Sequence, residues 1–279
     1  MAKKKNVAKY KRYAPVAGEA KVLIFDIETA PILAHVWGLW DNNVGLNQVV
    51  SDWHVMSWSA KWRNAPEHEI MYMDQRNAPS VENDKEILKE IWSLLDEADV
   101  VITQNGKRFD QRKLNAKFVE HRLGPPSSFK HIDTKLIAQK HFDFPSYKLE
   151  YMTNKFCQKY KKLKHKKFPG HEMWTECLKG NVEAWEEMKE YNIHDVLALE
   201  ELYFILMPWD SSCNLNLFHD REEHVCHCGS KESIKNGFYY TNMGQFQKFK
   251  CKGCGAETRD RHNLFSVEKK DSLQQGTVR

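Results

Sequence analysis

The apolar positions of this chain follow two periods. From Lys21 to Thr29 they run almost unbroken, which predicts a buried strand. From Val55 to Trp62 the residues Met56, Trp58, Ala60 and Trp62 alternate with Ser57, Ser59 and Lys61, the period-two signature of a second strand. Glu69 to Asp74 is a third, shorter stretch of the same kind. Between Val81 and Asp96 the period lengthens: Ile87, Leu88, Ile91, Trp92 and Leu95 recur at spacings of three and four, predicting a helix. A strand at Asp99–Thr103 follows, then a helix from Asp110 to Arg122 carrying Leu114 and Phe118, broken by Gly124-Pro125-Pro126. Short helices are expected at 134–141 and 147–159, and a long one from about Asn181 to Leu206, ending before Pro208. Strands first, then strands alternating with helices, predict a mixed α/β domain over residues 21–210. The three Trp of residues 53–62 could stack a base, but at this spacing they read as core.

After Trp209 the pattern changes. Residues 211–223 are polar and read as a linker, 224–262 are short, Cys-bearing and strand-like, and 263–279 are polar enough to be disordered. Residues 1–20 read as a flexible basic arm. The chain of 279 residues is 41% apolar, with nine Trp and fourteen Phe, which allows one sizeable core and a small appendage. The formal charge is only +4, but the positive residues are clustered. Residues 1–12 hold six Lys or Arg, and residues 155–167, which include Lys161 and Lys162, hold seven Lys; neither run contains an acid. Such clusters suit a polyanion such as nucleic acid, or else are solvated surface. No signal peptide and no apolar run of membrane-spanning length is seen, so a cytoplasmic protein is expected. Seven Cys, four of them late in the chain, fit a reduced setting with a metal site better than a disulfide framework.

Candidate chemistry begins at the end of the first strand, Phe25-Asp26-Ile27-Glu28-Thr29. Alternate strand residues share a face, so Asp26 and Glu28 point the same way, and their mutual repulsion calls for a hard cation such as Mg²⁺ or Mn²⁺. Asp110 follows Asn105-Gly106-Lys107-Arg108-Phe109 at a strand-to-helix turn, and Tyr191 and Asp195 lie four apart on one face of the last helix. Each has a plain alternative taken alone: a strand end, an N-cap, a half-buried aromatic, a surface acid. Together, Asp26, Glu28, Asp110 and Asp195 could surround two cations that share the charge of a displacement at phosphorus, with Tyr191 orienting the attacking water. Asp133, in His131-Ile132-Asp133-Thr134, reads as a helix cap in preference to a pocket acid.

These motifs resemble, in the same order, those of the DEDD superfamily of 3′→5′ exonucleases, in its tyrosine version. The histidine version would place His where this chain has Glu190, and His194 is out of phase for that role. More specifically, Asn105-Gly106-Lys107 and Tyr191-Asn192 resemble the exonuclease-like ribonuclease H domain proteins of bacteria and their phages. The resemblance covers residues 21–206. It implies a ribonuclease H-like fold and two Mg²⁺ or Mn²⁺ ions held by Asp26, Glu28, Asp110 and Asp195. It also implies release of mononucleotides from a 3′ end, with DNA favoured and RNA the alternative, and nucleic acid beside Thr29 and Asn105. The polarity comes from the resemblance alone. A bacterial or phage-infected cytoplasm is the implied setting. A non-catalytic nucleic-acid adaptor and an exonuclease subunit of a replication or recombination complex are the competing readings.

Cys226-x-Cys228 and Cys251-x-x-Cys254 provide four thiolates suited to one structural Zn²⁺, with a hairpin between them turning at Asn242-Met243-Gly244. The glycines beside these cysteines resemble those of zinc ribbons, including ribbons of some transposase-associated proteins. The short first spacing leaves His224 or His227 as a substitute ligand. Lys248 and Lys250, interleaved with Phe246 and Phe249, suit a nucleic-acid strand, and the same aromatics would also suit a protein partner.

Overall fold

The computed structural model describes residues 19–161, 167–218 and 224–277. Its internal contacts divide the chain into a unit of Lys21–Tyr203 and a unit from Phe204 onward. The basic arm up to residue 18 and Lys162 lie outside the described residues.

The first unit is built on a mixed five-stranded sheet flanked by helices. Its strands are β1 (Val22–Thr29), β4 (Val55–Trp62), β5 (Met71–Asp74), β6 (Val100–Thr103) and β7 (Lys130–Asp133), in the order β5-β4-β1-β6-β7. β1, β4 and β5 pair antiparallel, while β6 and β7 run parallel to β1. This arrangement is consistent with a ribonuclease H-like fold. A two-stranded ribbon, β2 (Leu33–Ala34) with β3 (Val49–Ser51), lies within the connection from β1 to β4. The helices are α1 (Lys85–Glu97), α2 (Asp110–Glu120), α3 (Thr134–His141), α4 (Leu149–Phe156), α5 (Glu172–Leu178) and α6 (Val182–Leu206).

One face of the sheet buries Leu23, Phe25 and Ile27 of β1 with Trp58, Ala60 and Trp62 of β4, against Ile87, Leu88, Ile91 and Leu95 of α1 and Leu114 and Phe118 of α2. Trp58 is fully buried, and its indole N–H donates to the Ile87 carbonyl at 2.8 Å, so burial leaves no polar atom unmet. Removing one such large side chain costs about 3–5 kcal/mol through lost transfer energy and cavity formation. The Trp of residues 53–62 are therefore structural: Trp58 and Trp62 are core, and half-buried Trp53 packs against it with the Lys113 ammonium 3.8 Å from its ring.

The structure departs from the period-two reading of β4 in two ways. Ser57, Ser59 and Lys61 are as buried as their apolar neighbours, because their partners lie on α6 and not in solvent. Met56 joins a second cluster, with Ala30, Met173, Trp185, Met188 and Tyr191, and not the one that holds Trp58. The register explains it. Glu28 pairs with Ser57 and Thr29 with Val55, so Met56 is left over in a β-bulge.

Strand β7 and helix α5 add to the predicted elements. The expected helix over 147–159 is shorter, at Leu149–Phe156.

The second unit contains a three-stranded sheet, β8 (Ser233–Thr241), β9 (Gly244–Cys251) and β10 (Glu257–Asn263), with β9 in the middle. Thr241 pairs with Gly244, so Asn242-Met243 form the hairpin loop where the sequence placed it. Two stretches read as irregular contain structure. A 3₁₀ turn occupies Leu215–Phe218, and a short helix, α7 (Val267–Asp271), is capped by Ser266, whose side chain accepts from the Lys269 N–H. Such short caps arise from local side-chain geometry and leave no periodic signal. Among the described residues, no helix is long and apolar enough to cross a membrane.

Candidate active site

Three of the four predicted acids converge. Carboxylate oxygens of Asp26 and Glu28 on β1 and of Asp195 on α6 lie within 4.8 Å of one another. Asp26 and Glu28 are half-buried and Asp195 is almost fully buried. Carboxylate charges within 4.8 Å of one another repel by roughly 3 kcal/mol or more at an effective dielectric near 20, and a cation among them offsets that repulsion. An all-oxygen donor set of this kind fits hard divalent cations such as Mg²⁺ or Mn²⁺.

The fourth acid stands beside this group. Asp110 opens α2 as its first helical residue, and Phe109 takes the cap position. Its Oδ1 accepts from the N–H of Ile27, the residue between Asp26 and Glu28, at 3.3 Å. Burial pushes its carboxyl up to about 7 and the charge of Asp133 adds to the rise, against hydrogen bonds from the Ile27 N–H and its own.

Asp133 is the N-cap of α3, accepting from the Lys135 N–H at 3.1 Å. It also accepts from the N–H groups of Asn105 at 2.9 Å and Lys107 at 3.2 Å. One buried carboxylate thereby holds the loop that delivers Asp110. Asn105 sits at φ 66° and Gly106 presses against Thr103, where a Cβ would come within 2.2 Å of the hydroxyl. Only glycine fits that approach.

Residues that pattern reading passed over orient the acids. Asn192, fully buried on α6, donates from Nδ2 to Asp26 Oδ2 at 2.8 Å. Its carbonyl accepts from the Ser59 hydroxyl at 2.8 Å, and its Oδ1 from Ser57 at 3.4 Å. Ser59 and Ser57 are the cross-strand partners of Asp26 and Glu28. Further along the same face, buried Lys61 pairs with Glu200 of α6 at 2.8 Å. The available signal was a polar stripe on β4, with Asn192 and Glu200 on the helix that covers it.

Tyr191 lies one turn before Asp195, with its ring edge-on to Trp174 at 6.1 Å between centroids. His194 turns to Tyr160, 5.6 Å away. Asn105 Oδ1 accepts from Lys135 Nζ at 3.1 Å. Thr29 closes β1 at the bulge, and Lys161 is exposed. Lys248 pairs with Glu257 at 3.0 Å, and Lys250 is exposed on β9.

In the second unit, the sulfurs of Cys226, Cys228, Cys251 and Cys254 lie within 4.8 Å of one another, with Cys226–Cys254 at 3.7 Å and Cys228–Cys251 at 3.8 Å. A tetrahedron with metal–sulfur arms of ~2.3 Å has edges of ~3.8 Å, so the cluster is compatible with a zinc module. The N–H of Cys254 points at Cys251 Sγ at 3.5 Å, and that of Ala256 at Cys254 Sγ at 3.4 Å. Of the two histidines weighed as substitute ligands, His227 meets the Met207 carbonyl through Nε2 at 3.1 Å and lies 3.8 Å from Cys226 Sγ through Nδ1, and His224 stacks on Phe249.

A family model of the RNase_H superfamily matches residues 62–207. Among solved structures, the family B DNA polymerase from the hyperthermophilic archaeon Pyrobaculum calidifontis is similar at 14% identity and a TM-score of 0.48, over 75% of this chain. The match spans 28% of that polymerase's length. No curated protein matches this chain.

Proposed function

The chain belongs to the RNase_H superfamily, whose fold supports nuclease activity, and from that premise we propose that it is a metal-dependent 3′→5′ exonuclease of the DEDD kind, tyrosine version. Its substrate is nucleic acid, with DNA favoured, and its products are nucleoside monophosphates. The observation that carries this reading is the convergence of Asp26, Glu28 and Asp195. Asp26, Glu28, Asp110 and Asp195 would hold two Mg²⁺ or Mn²⁺ ions, which supply an activated water and charge neutralisation at the leaving oxygen.

The chain's own residues do the rest. Asn192 fixes the rotamer of Asp26. Asp133, through the Asn105–Lys107 backbone, fixes where Asp110 enters. Tyr191 orients the attacking water through its hydroxyl. The acids turn phosphate away until cations are bound, so cleavage depends on the metal. In the second unit, Cys226, Cys228, Cys251 and Cys254 bind one structural Zn²⁺ in a zinc ribbon. Lys250, together with the rings of Tyr239 and Phe246 that flank Arg259, grips the substrate strand.

The test uses one single-stranded oligonucleotide labelled at either end. With Mg²⁺ or Mn²⁺ the 3′ label should leave at once as a mononucleotide, while the 5′-labelled strand shortens as a ladder, and EDTA should stop both. Asp26→Ala should lower the rate about a thousandfold or more. Internal fragments in place of a ladder would overturn the exonuclease assignment, and an Asp26→Ala protein as fast as wild type would overturn the site.

A further inference from the structure

The connection from β1 to β4 carries a second feature. It leaves β1 at Thr29, directly after Glu28, and rejoins the sheet at Val55, the cross-strand partner of Thr29. Its base is ordered. Ala30 N–H donates to the His54 carbonyl, and His35 N–H to the Gln48 carbonyl, each at 2.9 Å, and Gln48 Nε2 returns to the His35 carbonyl at 2.9 Å. Beyond this clamp the chain turns on itself, with Asn42 Nδ2 donating to the Gly38 carbonyl. There it presents two indoles to solvent: Trp37 is 101% exposed and Trp40 86%. Every other Trp in the first unit is buried or half-buried.

Two exposed indoles on a clamped turn are expensive in water, so their surroundings are informative. Residues 30–51 contain one acid, Asp41, and no Lys or Arg. The surface therefore does not attract phosphate; what it offers is apolar area, with the two indoles as its flat faces among exposed Ile32, Leu33, Val36, Leu39 and Leu46. Indoles carried on the segment that starts directly after Glu28 suit an occupant with flat apolar faces whose end lies at the carboxylates. Trp37 is eight residues beyond Thr29, so the chain can carry it at most roughly 28 Å from the end of β1. That is within reach of the last several nucleotides of a strand ending at the acids.

We infer that Trp37 and Trp40 form a stacking platform for the unpaired bases behind the 3′-terminal nucleotide. The inference rests on the nuclease reading for its occupant and names the substrate as single-stranded at its end. Stacking on an indole accepts any base, because every base has a π face, so the platform holds the strand without reading its sequence. Trp37 and Trp40 are binding residues and contribute nothing to bond cleavage.

The test measures binding of the full-length protein with Ca²⁺ in place of Mg²⁺. Fluorescence anisotropy compares a short 5′-labelled single strand with the same strand made abasic at the nucleotides behind its 3′ end. Wild type should prefer the intact strand by about tenfold or more. The double variant Trp37→Ala/Trp40→Ala should lose that preference while binding the abasic strand as wild type does. Trp37→Phe/Trp40→Phe should retain most of it, which separates ring stacking from a damaged loop. In turnover, the alanine variant should show a raised KM and an unchanged kcat. A base preference that survives both Trp→Ala changes overturns the inference, as does a wild type that binds the two strands equally. Neither readout needs hydrolysis. A wild type that stacks bases through these rings but cleaves nothing would end the nuclease reading and leave the platform standing.

Discussion

The two units of this chain solve the problem of a fixed shape in different ways. The sheet unit has an interior: Trp58 and Trp185 are 0% and 1% exposed, each in its own apolar cluster. The cysteine unit has strands and almost no interior. Along β8, β9 and β10 only Gly244 and Cys251 are fully buried. One unit is held by area removed from water; the other brings four sulfur atoms to a point, where the proposed zinc would hold it. Apolar packing spreads stability over many residues and so tolerates a strained, repulsive group of acids at its edge. Four ligands to one ion would concentrate stability, and each would become indispensable.

Changes of graded size test that contrast. The largest effect is expected from Cys251→Ser, which should unfold β8–β10 while the sheet unit keeps its fold. Amide hydrogen exchange should show protection lost from Ser233 to Asn263 and retained in β1, β4 and β6. Protection lost throughout would mean the two units are not independently held. Asn192→Leu comes next. The sheet unit should stay folded, with its melting temperature little changed, but Asp26 would lose its hydrogen bond from Nδ2. Metal affinity or cleavage should fall about 10- to 100-fold, as for other residues that orient metal ligands. A variant that cleaves and binds metal normally would show that Asp26 needs no such orientation.

The smallest effect is a pH dependence of the sheet unit. His131 is held neutral, receiving the Thr103 hydroxyl at Nε2 and donating from Nδ1 to Gln111 Oε1. Burial pushes its pKa down to about 4, against an ordinary value of 6.5. The unfolded chain therefore takes up the proton first. Stability should be complete above pH 6.5, decline as the pH falls from there to about 4, and lose at most about 3 kcal/mol to this group. NMR titration of the ring checks it: an inflection near 6.5 in the folded protein would contradict the burial argument.

Much of this was legible in the chain itself. β1 could be read because it is central and apolar on both sides until the acids begin. α6 could be read because its 25 residues run without Gly or Pro and stop just before Pro208. Asp26, Glu28 and Asp195 were found because the strand and helix periods fix which way they point. What escaped depends on partners. β7 is four residues long with Ile132 as its one apolar residue, and acquires its identity only by lying beside β6. The burial of Ser57, Ser59 and Lys61 follows from Asn192 and Glu200, more than 130 residues away. Asp110 stood out by its motif, but nothing local tells that its carboxylate would be sealed beneath the N–H of Ile27. Trp37 and Trp40 have the same composition as core residues, and only the folded chain reveals that they face outward.

The unpaired Met56 has a cost and a use. Deleting it would give β1 and β4 a more regular ladder by removing a fault next to Glu28. The cluster around Tyr191 would then lose the Met56 side chain, and the Gln75 N–H would lose the Met56 carbonyl that accepts from it. At this one position a tidier ladder would empty part of the interior, and an engineer seeking heat resistance should leave the irregularity alone.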